Sequence, residues 1–401
     1  MKPHIVTKLP GPQSQKIIRR LKQVNGAINS YYPFAMSGQG SGVYFKDVDG
    51  NTFLDFASQV ASTPLGYNHP RLKEVIKEQS KQHPVKYAGQ DFNLKIHADF
   101  IEELLSVCKG MNRAFLVNSG AEAVENCIKI AMRSRPRAKF GVSFDHAFHG
   151  RTLGALSLTH SKAVHKKNYF TIPTKTLSFS DRASVELERL IKRQGASSIA
   201  FVILEHVQGE GGYNPASKKM VQEVRRLCAT KNIPYIADEV QAGMGRTGEW
   251  WAFQHYNIKP DAFSAAKALQ VGATVSTKKL FPKEGGAISS TWGGGQIIDL
   301  AVGLETIKII KRKHLLAKNK SNGKYLLKQL QSLPVVNTRG LGLMVAFDLP
   351  TAKKRDAVIK KSLQQGLVML ACGPKGIRLI PPYIVSRNEI DQAVSILENS
   401  M

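Results

Sequence analysis

Acidic residues are scarce in this chain. Asp and Glu number 30 against 57 Lys and Arg, a formal net charge of +27 over 401 residues. Cysteine is scarcer still: Cys108, Cys127, Cys228 and Cys372 stand far apart, with no Cys-x-x-Cys pair. That spacing argues against a zinc site and a disulfide framework, and for a reducing, cytoplasmic setting; no metal site is expected. No apolar run is long enough to span a bilayer, so no membrane role is expected. The first residues lack the apolar core of a signal peptide, and no secretion signal is expected. There is no internal repeat and no Walker-type lysine loop. Residues 38–42 (Gly-Gln-Gly-Ser-Gly) have the wrong spacing for a dinucleotide fingerprint and precede a strand rather than a helix. The basic residues are scattered, as at Arg19-Arg20, Lys166-Lys167 and Lys353 to Arg355, mostly on polar helix faces. No nucleic-acid motif accompanies them. We read a solvated basic surface that would draw in dianionic small molecules, and expect no nucleic-acid partner.

What is present is ordinary globular material. The apolar fraction is 42% and the charged fraction 22%, and the length suits two domains, or one large domain with an appendage. A hairpin is expected over 43–56, turning at Asp47 to Asn51. From about residue 70, helix and strand alternate. Apolar strands are expected at 114–117, 140–144, 199–205, 233–237 and 261–265, with amphipathic helices between them. This pattern implies a mostly parallel sheet covered by helices. A long helical stretch over 297–331 should break near Lys313. The C-terminal part then reads strand, helix, strand, helix. One of its helices stops at Gly366, and the last opens on the capping box Ser386 to Glu389. Divided this way, 1–45 is an N-terminal segment packing with the small domain, 46–314 a large domain and 315–401 a small α+β domain.

Two residues carry most of the chemical signal. Asp238 stands where the apolar strand at 233–237 ends, and Lys267 follows the small, apolar run at 262–266. Ligands bind at the carboxyl ends of strands in open α/β sheets. A lysine and an acid there are what a pyridoxal phosphate (PLP) enzyme needs. The lysine forms a Schiff base, and the acid keeps the pyridine nitrogen protonated. Partial burial would lower the lysine pKa and suit it to shuttling protons. Asn118 to Ala123 follows a strand and opens a helix, so its N–H groups suit a phosphate; an ordinary N-capped helix would read the same way. Phe148, in Ala147 to Thr152, could stack on a flat ring or pack in the core, with His149 at the surface in the latter case. Arg378 lies among apolar residues and wants a carboxylate, from substrate or from a partner such as Glu205. The pocket contacts that set specificity are expected among Tyr31, Tyr32, Gln59 and Val60.

In order and spacing, these pieces resemble the class III (ω-) aminotransferases, PLP enzymes of fold type I, over about residues 35–398. The segments that carry the resemblance are Asp47 to Gly50, Asn118 to Ala123, Ala147 to Arg151, Gln208 to Gly212, Asp238 to Gln241, Gly243 to Gly248, Lys267, Ser290 to Gly294, Arg339 to Met344 and Arg378. The resemblance implies an α/β fold of this type, with a large PLP-binding domain and a smaller α+β domain. It implies that Lys267 holds the cofactor, Asp238 pairs with its ring nitrogen, Val240 packs beneath the ring and Gln241 bonds the 3-oxygen. Ser119, Gly120 and Ala121 would hold the phosphate, with Phe148 on the other ring face and His149 beside it. Thr291 would reach the cofactor of a neighbouring subunit in a homodimer. Arg378 would bind the carboxylate of 2-oxoglutarate, and Glu205 would gate Arg378 when an ω-amine enters. The chain departs from the family pattern at His206, where a proline is common, at Gly295, and over Ala268 to Thr274. The implied reaction moves a terminal amino group, of lysine, ornithine or 4-aminobutyrate type, to 2-oxoglutarate, giving a semialdehyde and glutamate. A racemase or aminomutase with the same residues, and an inactive PLP fold that binds nucleic acid, are the rival readings.

Overall fold

The computed structural model describes residues 1–26, 32–82, 92–289 and 294–401. Three short strands come first: β1 (Met36–Ser41), β2 (Tyr44–Asp47) and β3 (Thr52–Asp55). Seven more follow: β4 (Arg113–Val117), β5 (Phe140–Phe144), β6 (Thr174–Leu177), β7 (Ile199–Leu204), β8 (Tyr235–Asp238), β9 (Ala262–Ala265) and β10 (Gly272–Ser276). These seven form one sheet in the order β4-β10-β9-β8-β7-β5-β6. All neighbours from β9 to β6 pair in parallel, and only β10 runs against both of its neighbours.

Every residue of β5, β7, β8 and β9 is buried. This is why they read as unbroken apolar runs rather than as alternation. Helices cover the faces. The helix Lys218–Thr230 starts at the Ser217 cap and buries Met220, Val221, Val224 and Cys228, the face expected from periodicity. The expected strands lie within two residues of their predicted places. β6 and β10 were not anticipated. β6 is a four-residue edge strand with Lys175 and Thr176 exposed, and β10 begins at Gly272, which weakens its strand signal.

The C-terminal part is richer in strands than expected. Two helices, Ile297–Arg312 and Leu315–Leu330, are divided at Lys313 and His314, the latter in the left-handed region. Then come β11 (Val336–Leu341), β12 (Met344–Asp348), β13 (Leu367–Val368), β14 (Leu370–Cys372) and β15 (Gly376–Leu379). Strands β11, β12, β15 and β14 form an antiparallel sheet. The helix Ala352–Gln364 precedes Gly366, whose positive φ ends it. The helix Arg387–Glu398 carries the expected capping box and buries Ile390, Ala393, Val394 and Leu397. The N-terminal hairpin joins this region: β13 pairs in parallel with β3, giving the sheet β1-β2-β3-β13. The glycine-rich stretch at 38–42 forms most of β1 and leads into β2, as expected of a segment that precedes a strand.

The site follows from strand direction. β4, β5, β7, β8 and β9 all point the same way, so their carboxyl ends share one edge of the sheet. The segments leaving that edge carry Ser119, His149, Glu205, Asp238 and Lys267.

Candidate active site

Those segments enclose a cavity of about 550 Å³. Lys267 comes two residues after β9 and has φ +51, a left-handed conformation that turns the chain sharply beside the sheet. Its Nζ donates to the Val60 carbonyl at 3.1 Å. Burial pushes the amine down to about 8, and the Arg378 guanidinium adds to the effect against the opposing pull of Glu210, Asp238 and Glu205. A lysine so placed releases its proton near neutrality.

Asp238 ends β8 and is 5% exposed. Its Oδ1 accepts from Val240 N at 3.0 Å and Ser264 Oγ at 3.1 Å. Its Oδ2 lies 2.7 Å from His149 Nδ1. Three partners fix this carboxylate, so it can hold a protonated ring nitrogen at the cavity. His149 is therefore buried in the site, not at the surface. Its Nε2 is buried with no hydrogen-bond partner among the described residues. Phe148 lines the same cavity, with the Arg151 guanidinium carbon 5.7 Å from its ring centroid.

Ser119 caps the helix Gly120–Arg133, its Oγ accepting from Glu122 N at 3.2 Å. Gly120 is a forced choice: a Cβ there would sit 2.7 Å from Val240 Cγ1. The helix start is thereby brought against Val240, and Ser119, Gly120, Ala121 and Val240 line one wall. Free N–H groups at a helix start can bind a phosphate. Gln241 also lines the cavity, and its Oε1 accepts from Tyr213 OH at 2.7 Å. A phosphate cradle, a held carboxylate and a partly buried lysine around one space fit the pyridoxal phosphate group.

Arg378, on β15, is 4% exposed. Its Nη2 donates to Glu210 Oε1 at 2.5 Å, so its partner is Glu210 and the expected pairing with Glu205 is corrected. Burial opposes the Glu210 charge, but Arg378 beside it holds the carboxyl below its ordinary range. Glu205 instead accepts from Phe148 N at 2.8 Å and Gly209 N at 2.9 Å. Burial raises its pKa to about 7. Arg378 Nε and Nη1 are buried with no partner among the described residues, which leaves two donors for a carboxylate.

Gln59 lines the cavity, whereas Val60 reaches it through its carbonyl. Both belong to a run of four left-handed residues, Ser58, Gln59, Val60 and Ala61, with φ +45, +46, +60 and +71. None is glycine, and each costs roughly 1–2 kcal/mol there. Tyr32 donates to the Met369 carbonyl at 2.9 Å and does not line the cavity. Tyr31, Ser290, Thr291, Trp292 and Gly293 lie outside the described residues. Sequence reasoning missed Glu210, Tyr213, Arg151 and Gln270. Arg151 and Glu210 stood inside motifs already singled out, so those motifs held the available signal.

Comparison with known proteins decides the family. The sequence pattern of Aminotransferase class-III matches residues 27–401. The chain belongs to this family. Class III aminotransferases are PLP enzymes, so the fold, the cofactor and the aminotransferase activity on terminal amines are those of the class. The acetylornithine aminotransferase of Archaeoglobus fulgidus is 35% identical over 367 residues, covering 90% of this chain and 94% of that one. The [LysW]-aminoadipate semialdehyde transaminase of Deinococcus radiodurans is 32% identical over 389 residues, covering 94% and 88%. The solved lysine aminotransferase from M. tuberculosis superposes with a TM-score of 0.89 at 25% identity, covering 97% of this chain and 99% of that one. No helix among the described residues is long and apolar enough to cross a membrane.

Proposed function

We propose that this class III aminotransferase moves the terminal amino group of an amino-acid donor of lysine, ornithine or 4-aminobutyrate type to 2-oxoglutarate. The observation that carries the reading is the Arg378–Glu210 pair at 2.5 Å beside Lys267. Two substrates must use one site. A dicarboxylic keto acid needs a free guanidinium, whereas a donor entering amine-first needs that charge covered. Glu210 covers it; when it swings away, Arg378 presents three donors to a carboxylate. Glu210 takes the gating role first expected of Glu205.

The remaining residues have these roles in our reading. Lys267 would hold the cofactor covalently and would carry the proton taken from the substrate carbon. Pyridoxal phosphate, when bound, supplies the electron sink. Asp238 keeps the ring nitrogen protonated, and His149 orients Asp238. Val240 and Phe148 line the cavity where they would flank the ring, and Gln241 would bond the ring oxygen. The N–H groups from Ser119 to Ala121 hold the phosphate. Gln59 and Arg151 line the cavity where the donor's far end would lie, Val60 contributing only its carbonyl, and Arg151 has no carboxylate partner among the described ion pairs. Thr291 of a second copy completes the phosphate site in a homodimer. Four buried free thiols support a reducing, cytoplasmic setting.

The test follows the visible absorption of the PLP-loaded protein as single donors are added without acceptor: L-lysine, L-ornithine, N-acetyl-L-ornithine or 4-aminobutyrate. Bleaching by one donor, reversed by 2-oxoglutarate, is expected and names the donor. Interconversion of amino-acid enantiomers with no need for a keto acid would replace this reading with a racemase.

A further inference from the structure

We propose that Asp55 is a positioning residue for Lys267, acting through the left-handed turn Ser58–Ala61 whose Val60 carbonyl receives the lysine amine. The inference rests on Lys267 being the reactive lysine only for its consequence, not for its geometry.

Asp55 ends β3 and is 1% exposed. Its Oδ1 accepts from Ala57 N at 2.7 Å and Ser58 N at 2.9 Å, the two amides that lead into the turn. Its Oδ2 accepts from Tyr67 OH at 2.6 Å. The charged and titratable groups that face it are Tyr67, Tyr32 and Arg246. Four successive non-glycine residues then take positive φ. None of the four is a glycine or an asparagine, the residues that take that backbone readily, so the surroundings must impose it. Asp55 imposes it at the entrance, and the bond from Ser62 N to the Ser58 carbonyl at 2.8 Å closes it.

On its far side the turn grips the lysine segment twice. The Val60 carbonyl accepts from Lys267 Nζ, and the Ser62 carbonyl accepts from Gln270 Nε2 at 2.9 Å. Lys267 and Gln270 are themselves left-handed, with φ +51 and +72. Two unfavourable turns therefore hold each other, and Asp55 anchors the one that contains no reactive group. Released from Asp55, the outer turn can return to negative φ and carry the Val60 carbonyl away from the amine. The charged groups that face Lys267 (Arg378, Glu210, Asp238 and Glu205) would stay in place. A hydrogen bond to the ammonium favours the charged form, so its loss makes the amine easier to deprotonate.

The test uses the full-length protein stripped of cofactor. Lysines are labelled with trinitrobenzenesulfonate across a pH series, and Lys267 is quantified by peptide mass spectrometry with the surface lysines as internal standards. The variants are Gln59→Pro, Gln59→Gly and Asp55→Ala. Proline cannot take φ +46 and glycine can, while both remove the same side chain. The labelling midpoint of Lys267 should stay at the wild-type value in Gln59→Gly. It should fall by about one pH unit in Gln59→Pro, the scale of one hydrogen bond to a charged group. Asp55→Ala should fall with Gln59→Pro, and if it does not fold, the proline–glycine pair carries the test. A wild-type midpoint in folded Asp55→Ala, or equal midpoints for the proline and glycine variants, would overturn the proposal. Because no cofactor or donor takes part, that result would leave the aminotransferase reading standing.

Discussion

The imidazole of His149 and the carboxylate of Asp238 meet at 2.7 Å, both buried, at the carboxyl end of the central strand β8. The contact joins a loop residue to a strand end 89 residues away in sequence. It makes His149 part of the apparatus that holds Asp238 in place. Removing the imidazole takes away one charge-assisted bond and leaves the carboxylate free to turn. His149→Ala should lower kcat/KM about 10- to 100-fold, the scale of a 1.5–3 kcal/mol bond. Steady-state kinetics checks this, together with a shift in the cofactor's visible absorption. An unchanged spectrum and rate would show that the other two Asp238 partners suffice.

The Arg378–Glu210 pair predicts a split between the two half-reactions. Glu210→Ala leaves Arg378 uncovered. The half-reaction with the ω-amino donor should slow by about tenfold or more, because a charge left buried and unpaired beside the donor costs a few kcal/mol. The half-reaction from L-glutamate should be kept. Arg378→Lys loses planar, bidentate recognition and should raise the KM for 2-oxoglutarate with little change in the donor half-reaction. Stopped-flow measurement of each half-reaction separates these outcomes.

Glu239 predicts a pH dependence of stability. It is 1% exposed, and burial raises its carboxyl from 4.5 to about 8, against the pull of the Ala252 and Phe253 amides. A carboxyl whose folded pKa is raised contributes stability that is present below the unfolded value and is lost as pH rises through the folded one. The melting temperature should therefore decline between pH 4.5 and about 8 in part through Glu239. A glutamine side chain cannot ionise, so Glu239→Gln should flatten that slope whatever it does to the absolute value. Differential scanning calorimetry of both proteins across this range provides the check.

The residues that could be read from the sequence share a property. Asp238 and Lys267 end apolar runs, and burial of whole strands makes such runs conspicuous. The helix cap Ser386 is local, so its signal sits within four residues. The left-handed turn at Ser58–Ala61 carries no glycine and gave no sign of its conformation, because tertiary contacts through Asp55 and Lys267 impose it. The pairing of Arg378 was expected with Glu205, and the sequence held no signal for Glu210 in its place. The two carboxylates flank one glycine-bearing loop, and only the folded loop shows that Glu205 turns to Phe148 and Gly209 while Glu210 reaches Arg378. The fold class followed from helix–strand alternation. The edge strand β6, the reversed strand β10 and the pairing of β3 with β13 did not, since they depend on partners distant in the chain.

Borohydride reduction of the PLP-loaded protein, followed by peptide mass spectrometry, identifies the lysine that carries the cofactor. One pyridoxyl group per chain is expected, on the peptide that contains Lys267, and none in Lys267→Ala. A pyridoxyl group on any other lysine, or full labelling of Lys267→Ala, would contradict this assignment.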